Sequence, residues 1–180
     1  MTANPPPTIR AARADDLPAI TAIYAHHVRH GAASFELEPP DVTEMRRRYD
    51  AIHALRWPFL TADCGGEVVG YAYAALYRAR PAYRFTAEDS VYVRDDRHGQ
   101  GIGAALMTAL IEACAAAGIR QLIAVIGDSA NRGSVRLHEK FGFVHIGVLP
   151  AVGWKFGCWV DSVLMQRSIG EGAATGAVDR

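Results

Sequence analysis

The stretch SVYVRDDRHGQGIGAAL, residues 90–106, restricts the possible folds of this chain more than any other. A β-branched and aromatic run, Val91-Tyr92-Val93, feeds a polar turn that ends in Gly99-Gln100-Gly101-Ile102-Gly103, and a helical pattern begins at once. Spaced glycines between a strand and a helix start let backbone N–H groups approach a phosphate without interference from Cβ. The segment predicts a strand–loop–helix unit with a pyrophosphate cradle from His98 through Ala104. An ordinary turn rarely needs three spaced glycines at a helix start.

The rest of the chain reads as one domain around this unit. Residues 8–13 look like a first strand. Asp15 can cap a helix whose apolar positions Leu17, Ile20, Ile23, Tyr24 and Val28 follow a 3.6 period and stop near Gly31. Asp41-Val42-Thr43-Glu44 has capping-box spacing and opens a second helix to about His53. Residues 58–62 and 67–76 read as a strand pair joined at Gly65-Gly66. A helix follows from about Gly101 to Ala117, and Gly118 stops it. Residues 121–126 form a continuous apolar run, as in a strand covered on both faces. Asn131 or Ser134 opens a fourth helix that ends before Gly142, and residues 143–149 and 158–166 read as the last strands. The expected fold is mixed α/β: one central, mostly antiparallel sheet of about seven strands with helices on both faces, over residues 8–168. Residues 1–7 read as a disordered lead and 169–180 as a flexible tail.

Composition narrows the partners. Formal net charge is zero, which gives no bulk attraction to nucleic acid or to an acidic membrane. Arg94, Arg97, Arg132, Arg136 and Lys140 still form a local basic set suited to a small anion. Cys64, Cys114 and Cys158 are widely spaced, with no CxxC pair, so neither a disulfide framework nor a metal site is expected, and a reducing, cytoplasmic setting fits. The histidines have no metal-ligand spacing. No apolar run reaches the ~18 residues of a membrane span, and the start MTANPPPT lacks the features of a signal peptide.

A dinucleotide fingerprint fits the glycine loop loosely, as Gly99-x-Gly101-x-x-Ala104 with Asp128 downstream. Three features oppose it. Five polar residues separate Val93 from Gly99, whereas that fingerprint places its first glycine directly after the strand. Much strand and helix precedes the loop, and the chain has no room for a separate substrate domain.

The segment instead resembles motif A of the Gcn5-related N-acetyltransferase (GNAT) superfamily, with His98 where that motif has Arg or Gln. A second block, Asn131-Arg132-Gly133-Ser134 through Leu137-His138 to Gly142-Phe143, is similar to the superfamily's motif B, with His138 in place of the usual Tyr. A finer likeness, over about residues 9–167, is to phosphinothricin and methionine sulfone/sulfoximine N-acetyltransferases. It rests on Ser34-Phe35-Glu36, on Tyr77-Arg78-Ala79-Arg80-Pro81-Ala82-Tyr83, on Thr86 through Val93, and on Gly153-Trp154-Lys155-Phe156-Gly157-Cys158-Trp159-Val160-Asp161.

The resemblance implies acetyl-CoA as co-substrate and a small amine as acceptor, with no metal. It implies that Val91, Tyr92 and Val93 run beside the pantetheine. His98, Gly99, Gln100, Gly101, Ile102, Gly103 and Ala104 then hold the pyrophosphate, and Asn131 meets the pantetheine arm. Glu88 stands where the family has a catalytic Glu, as general base, and His138 is a proton donor to the thiolate or a relay partner of Glu88. Arg78 and Arg80 lie two apart, so in extended backbone both forks point to one side and suit a carboxylate plus an oxo-acid group. Phe35 is a candidate wall of the acceptor pocket. Trp154 and Trp159 line either that mouth or a subunit contact, and the subfamily implies a homodimer. Acetylation of another small amine and non-catalytic acyl-CoA binding stay open at this point.

Overall fold

A computed structural model describes residues 6–177. The expected lead and tail therefore lie partly outside the described residues. Seven strands and four helices follow one another as β1 (Thr8–Ala11), α1 (Leu17–His30), α2 (Val42–Ala54), β2 (Phe59–Cys64), β3 (Glu67–Leu76), β4 (Thr86–Val93), α3 (Ile102–Ala116), β5 (Gln121–Gly127), α4 (Arg132–Lys140), β6 (Val144–Lys155) and β7 (Cys158–Ser168). They form one sheet in the order β1-β2-β3-β4-β5-β7-β6. Every neighbouring pair is antiparallel except β4 with β5.

The sheet separates two cores, as the period of two in its strands requires. On one face α1 and α2 pack over Phe59, Val68 and Tyr71, with Tyr73 and Tyr92 alongside. On the other, Leu106, Met107 and Leu110 of α3 pack over Ala72, Ala74, Ala87 and Leu122, with Val135 and Leu137 of α4 beside them. Gly70 lets α3 come close: a Cβ there would lie 3.0 Å from the Tyr92 carbonyl and 3.2 Å from Leu106.

Several boundaries differ from expectation for identifiable reasons. Asp16, not Asp15, is the residue before α1, because a 3-10 turn over Ala14–Asp16 comes first and the Asp16 carboxylate is taken by Arg10 at 2.7 Å and by the Arg13 N–H at 2.7 Å. The strand expected around Val91-Tyr92-Val93 begins at Thr86, so Glu88 lies within it. β6 runs on to Lys155 instead of ending near Leu149. It is an edge strand whose pairing with β7 shifts register between Leu149 and Gly153, around Pro150, a residue suited to edge strands and bulges. Its apolar side chains face solvent on both sides, which erased the alternation that would have revealed it. Beyond β7, Ile169 joins the core, and Arg120 meets Glu171 at 3.0 Å and Thr175 at 3.1 Å.

Candidate active site

The candidate site begins where the parallel pair fails. β4 and β5 are in register only from Thr86 opposite Gln121 to Glu88 opposite Ile123. Beyond that point β4 stays with β3 and β5 stays with β7. The Arg94 N–H donates to the Val69 carbonyl at 2.9 Å. Antiparallel alternation then turns the main-chain groups of Glu88, Ser90 and Tyr92 towards β3 and leaves those of Asp89, Val91 and Val93 facing the gap. A polar cavity of about 50 Å³ lies there, between residues 89–92, residues 124–127, and Asn131, Ser134 and His138.

The glycine loop closes one end of this gap. Gly99 and Gly101 have φ of +75° and +79°, a region costly for other residues. Gly103 carries no such demand, since an added Cβ would make only ordinary contact, at 3.5 Å to Leu137. The first intrahelical bond of α3 runs from the Ala105 N–H to the Gly101 carbonyl at 3.0 Å. Ile102, Gly103 and Ala104 therefore present their N–H groups at the positive end of a 15-residue helix. These free donors, with the unpaired amides of β4, fit a ligand that carries a diphosphate and a peptide-like arm.

The side chains around the loop sort differently from expectation. His98 turns its Nε2 to the Val93 carbonyl at 3.1 Å, which also receives Nε2 of His27 at 2.8 Å. A carbonyl only accepts, so both nitrogens donate, and burial holds His27 below the usual imidazole range. Arg94 is taken up by Glu67 and by Asp96 at 2.6 Å, and Arg97 stands 3.8 Å from both carboxylates. Arg132, Arg136 and Lys140 remain exposed on α4. Asn131 caps α4, its Oδ1 accepting the Ser134 N–H at 3.2 Å, which leaves its amide nitrogen for a ligand.

Glu88 and His138 lie on opposite faces of the sheet. Glu88 faces Ala75 across β3 and shares its face with Tyr73 and Tyr92. Burial raises its pKa above the usual carboxylate range, Asp89 adds to the rise, and Arg78 opposes it. His138 meets the next residue instead: its Nε2 lies 2.9 Å from Asp89 Oδ2, and its Nδ1 lies 2.8 Å from the Ser134 carbonyl. The relay between His138 and Glu88 is thereby corrected, because successive residues of a strand point to opposite sides. Both ring nitrogens of His138 face acceptors, which is the environment of an imidazolium. Burial alone would lower its pKa, but the hydrogen bond and charge of Asp89, with the Ser134 carbonyl, outweigh it and the net shift is upward. The pair is almost fully enclosed, with side chains 6 % and 0 % exposed, and Asp89 Oδ1 has no protein partner.

Asp89 is the residue that sequence reasoning missed. The signal was present: alternation puts Asp89 among Ala87, Val91 and Val93 on an apolar face, where a carboxylate needs a partner.

On the Glu88 side, Phe35 is 40 % exposed and packs its ring on the backbone of Gly127 and Gly153. β3 ends at Leu76, so Arg78 and Arg80 stand on a bend rather than on an extended strand. The Arg78 guanidinium lies 4.3 Å from the Tyr77 ring centre, and Arg80 precedes a 3-10 turn over Pro81–Tyr83. Only Arg78 is near enough to Glu88 to affect its protonation. A second cavity, of about 410 Å³, lies between α2 and β3 on this same face, lined among others by Tyr73, Ala75 and Tyr71, whose buried hydroxyl has no protein partner. Trp154 and Trp159 pair edge to face at 5.2 Å and are both exposed.

The chain is similar to known proteins in sequence and in fold. Residues 22–143 match the family described as acetyltransferase (GNAT). The chain is 56 % identical over 168 residues to a phosphinothricin N-acetyltransferase of Alcaligenes faecalis, covering 93 % of this chain and 85 % of that one. It is 41 % identical over 163 residues to an L-methionine sulfoximine/L-methionine sulfone acetyltransferase of Pseudomonas paraeruginosa, covering 90 % and 94 %. Its fold superimposes with a TM-score of 0.93 and 44 % identity on a crystal structure of a phosphinothricin acetyltransferase from Sinorhizobium meliloti in complex with acetyl-CoA, covering 97 % and 95 %. A splayed parallel pair, a glycine-opened helix beside it and these matches together make the chain a member of the acetyltransferase (GNAT) family.

Proposed function

We propose that this chain transfers acetyl from acetyl-CoA directly to the α-amine of a small amino-acid analogue of the phosphinothricin, methionine sulfone or methionine sulfoximine type, within a ternary complex. The observation that carries the reading is a half-buried carboxylate of raised pKa, Glu88, at the point where β4 and β5 part. The likeness to relatives named for those substrates supports it.

When bound, acetyl-CoA supplies a thioester that a neutral amine can attack. Glu88 takes the proton from the acceptor's ammonium, and burial makes it a better base than an exposed Glu. The gap-facing N–H groups of Val91 and Val93 polarise the acyl oxygen. The amides from Gly99 to Ala104 hold the diphosphate, and the Asn131 amide meets the arm. His138, kept charged by Asp89, holds the proton that the departing sulfur needs. Arg78, which stands near Glu88, meets an acidic group of the acceptor, Arg80 on the bend beside it supplies a second cation, and Phe35 bounds the acceptor's side chain. Direct transfer is supported by the cysteines: burial pushes the Cys114 thiol far up, and neither Cys64 nor Cys158 lies at the gap.

The enzyme works in the cytoplasm as a homodimer on a small molecule, not on nucleic acid or at a membrane. Three free thiols support the reducing setting, zero net charge argues against nucleic acid and acidic membranes, and the exposed apolar residues of the last hairpin support the dimer. The test is release of free thiol from acetyl-CoA with a panel of amines that includes the three analogues and common amino acids. Turnover fastest with the analogues is expected; slow turnover with all three, beside fast turnover of a polyamine or aminoglycoside, would contradict the substrate assignment.

A further inference from the structure

Lys155 ends β6 and is only 3 % exposed. Its ammonium donates to the carbonyl oxygens of Gly31 at 2.9 Å and Ser34 at 2.7 Å. Both belong to the loop between α1 and α2. Burial of an ammonium is unfavourable unless its donors are met, and here backbone carbonyls meet them. The charge is therefore spent on the shape of that loop.

The same side of β6 touches the loop a second time. Gly153, two residues earlier, lies bare against the Phe35 ring, where a Cβ would stand 2.6 Å from a ring carbon. Gly127 at the end of β5 does likewise: a Cβ would come within 2.9 Å of the ring and 2.1 Å of the Ala32 carbonyl. From the other side, the Tyr24 hydroxyl lies 2.9 Å from Ser34 Oγ and donates to Glu36 at 2.9 Å. Glu36 also takes Arg48 at 2.6 Å. The loop is thus gripped between the first two helices and the end of β6, and Phe35 sits at the centre of the grip.

We propose that Lys155 is a positioning residue for the acceptor pocket: its ammonium latches residues 31–36 onto the end of β6 and so fixes the Phe35 ring as a wall of that pocket. The proposal rests on the reading of Phe35 as that wall. Lys155→Met keeps the length and removes the donors, whereas Lys155→Arg keeps donors and charge.

The experiment measures kcat, KM for methionine sulfone, acetyl-CoA affinity and amide hydrogen exchange over residues 31–36, with Phe35→Ala in parallel. In Lys155→Met, KM is expected to rise about tenfold, since small misplacements of positioning groups are costly. Acetyl-CoA affinity stays unchanged, the loop amides exchange faster, and Lys155→Arg recovers much of both losses. Wild-type exchange over 31–36 in Lys155→Met overturns the latch. Faster exchange with unchanged KM, while Phe35→Ala raises KM, overturns its link to the pocket. Unchanged KM in Phe35→Ala instead refutes the wall, and the proposal's second half with it, while the exchange rates still decide the latch. If Lys155→Met does not fold, Lys155→Gln, which lacks the charge and the reach, is judged by the same outcomes.

Discussion

Glu88 and Asp89 are adjacent carboxylates with opposite surroundings, and the alternation of one strand is the cause. Glu88 lies on the α1/α2 face without a strong cation, so burial raises its pKa. Asp89 lies on the other face against His138. Replacing Glu88 by Gln keeps shape and removes the proposed base. A fall in kcat of about 10²- to 10⁴-fold is expected, with acetyl-CoA affinity unchanged by calorimetry; unimpaired turnover would remove Glu88 from the mechanism. Asp89→Asn removes the counter-charge of His138, so the alkaline limb of the kcat profile should move to lower pH. An unmoved limb would mean that His138 does not supply the proton. The pair also bears on stability. A histidine whose folded pKa is raised contributes stability that is complete below its unfolded pKa, about 6.5, and is lost as pH rises through the higher folded value. His138→Asn should therefore lower the melting temperature more at pH 6 than at pH 9.

At the scale of elements, the glycine loop carries the demand. Gly101 precedes α3 at φ +79°. Gly101→Ala forces a left-handed cost of about 1–2 kcal/mol, and about tenfold weaker acetyl-CoA binding is expected by calorimetry, since tenfold is about 1.4 kcal/mol. Unchanged affinity would mean that the loop does not hold the cofactor in this shape. This loop was the most legible part of the chain, because glycine spacing and helix periodicity are local. The capping of α2 was equally plain: the Glu44 N–H donates to Asp41 at 2.8 Å. The reach of β6 was not legible, because an edge strand with a register shift and apolar residues on both sides has no period of two. The end of β3 at Leu76 was legible, because its apolar run stops there; the bend through Arg78 and Arg80 was not, because two arginines spaced two apart carry no signal of whether the backbone past the strand stays extended. The partner of His138 depends on which face of β4 points where, and that requires the strand to begin at Thr86.

At the scale of the molecule, the two cores are kept apart by one sheet, and the gap in that sheet joins their chemistry. The proposed base, Glu88, on one face and the proposed acid, His138, on the other can serve the two ends of a single transfer only if the reacting groups lie in the opening between β4 and β5. The last hairpin adds a surface. Val144, Ile146, Val148, Trp154, Phe156 and Trp159 are all exposed large apolar residues, several on the edge strand. Exposed apolar edges favour association. Sedimentation is expected to give twice the 19.5 kDa chain mass, and Trp159→Glu to return it to one chain. A wild-type monomer would contradict the dimer.

Acetyl-CoA is expected to enter the opening beyond Glu88 and Ile123. A crystal structure of the protein with acetyl-CoA tests it most directly. The diphosphate should lie on the amides of residues 99–104, with the thioester beside Val93 and on the path between Glu88 and His138. A coenzyme bound elsewhere, with β4 and β5 empty between them, would contradict the account.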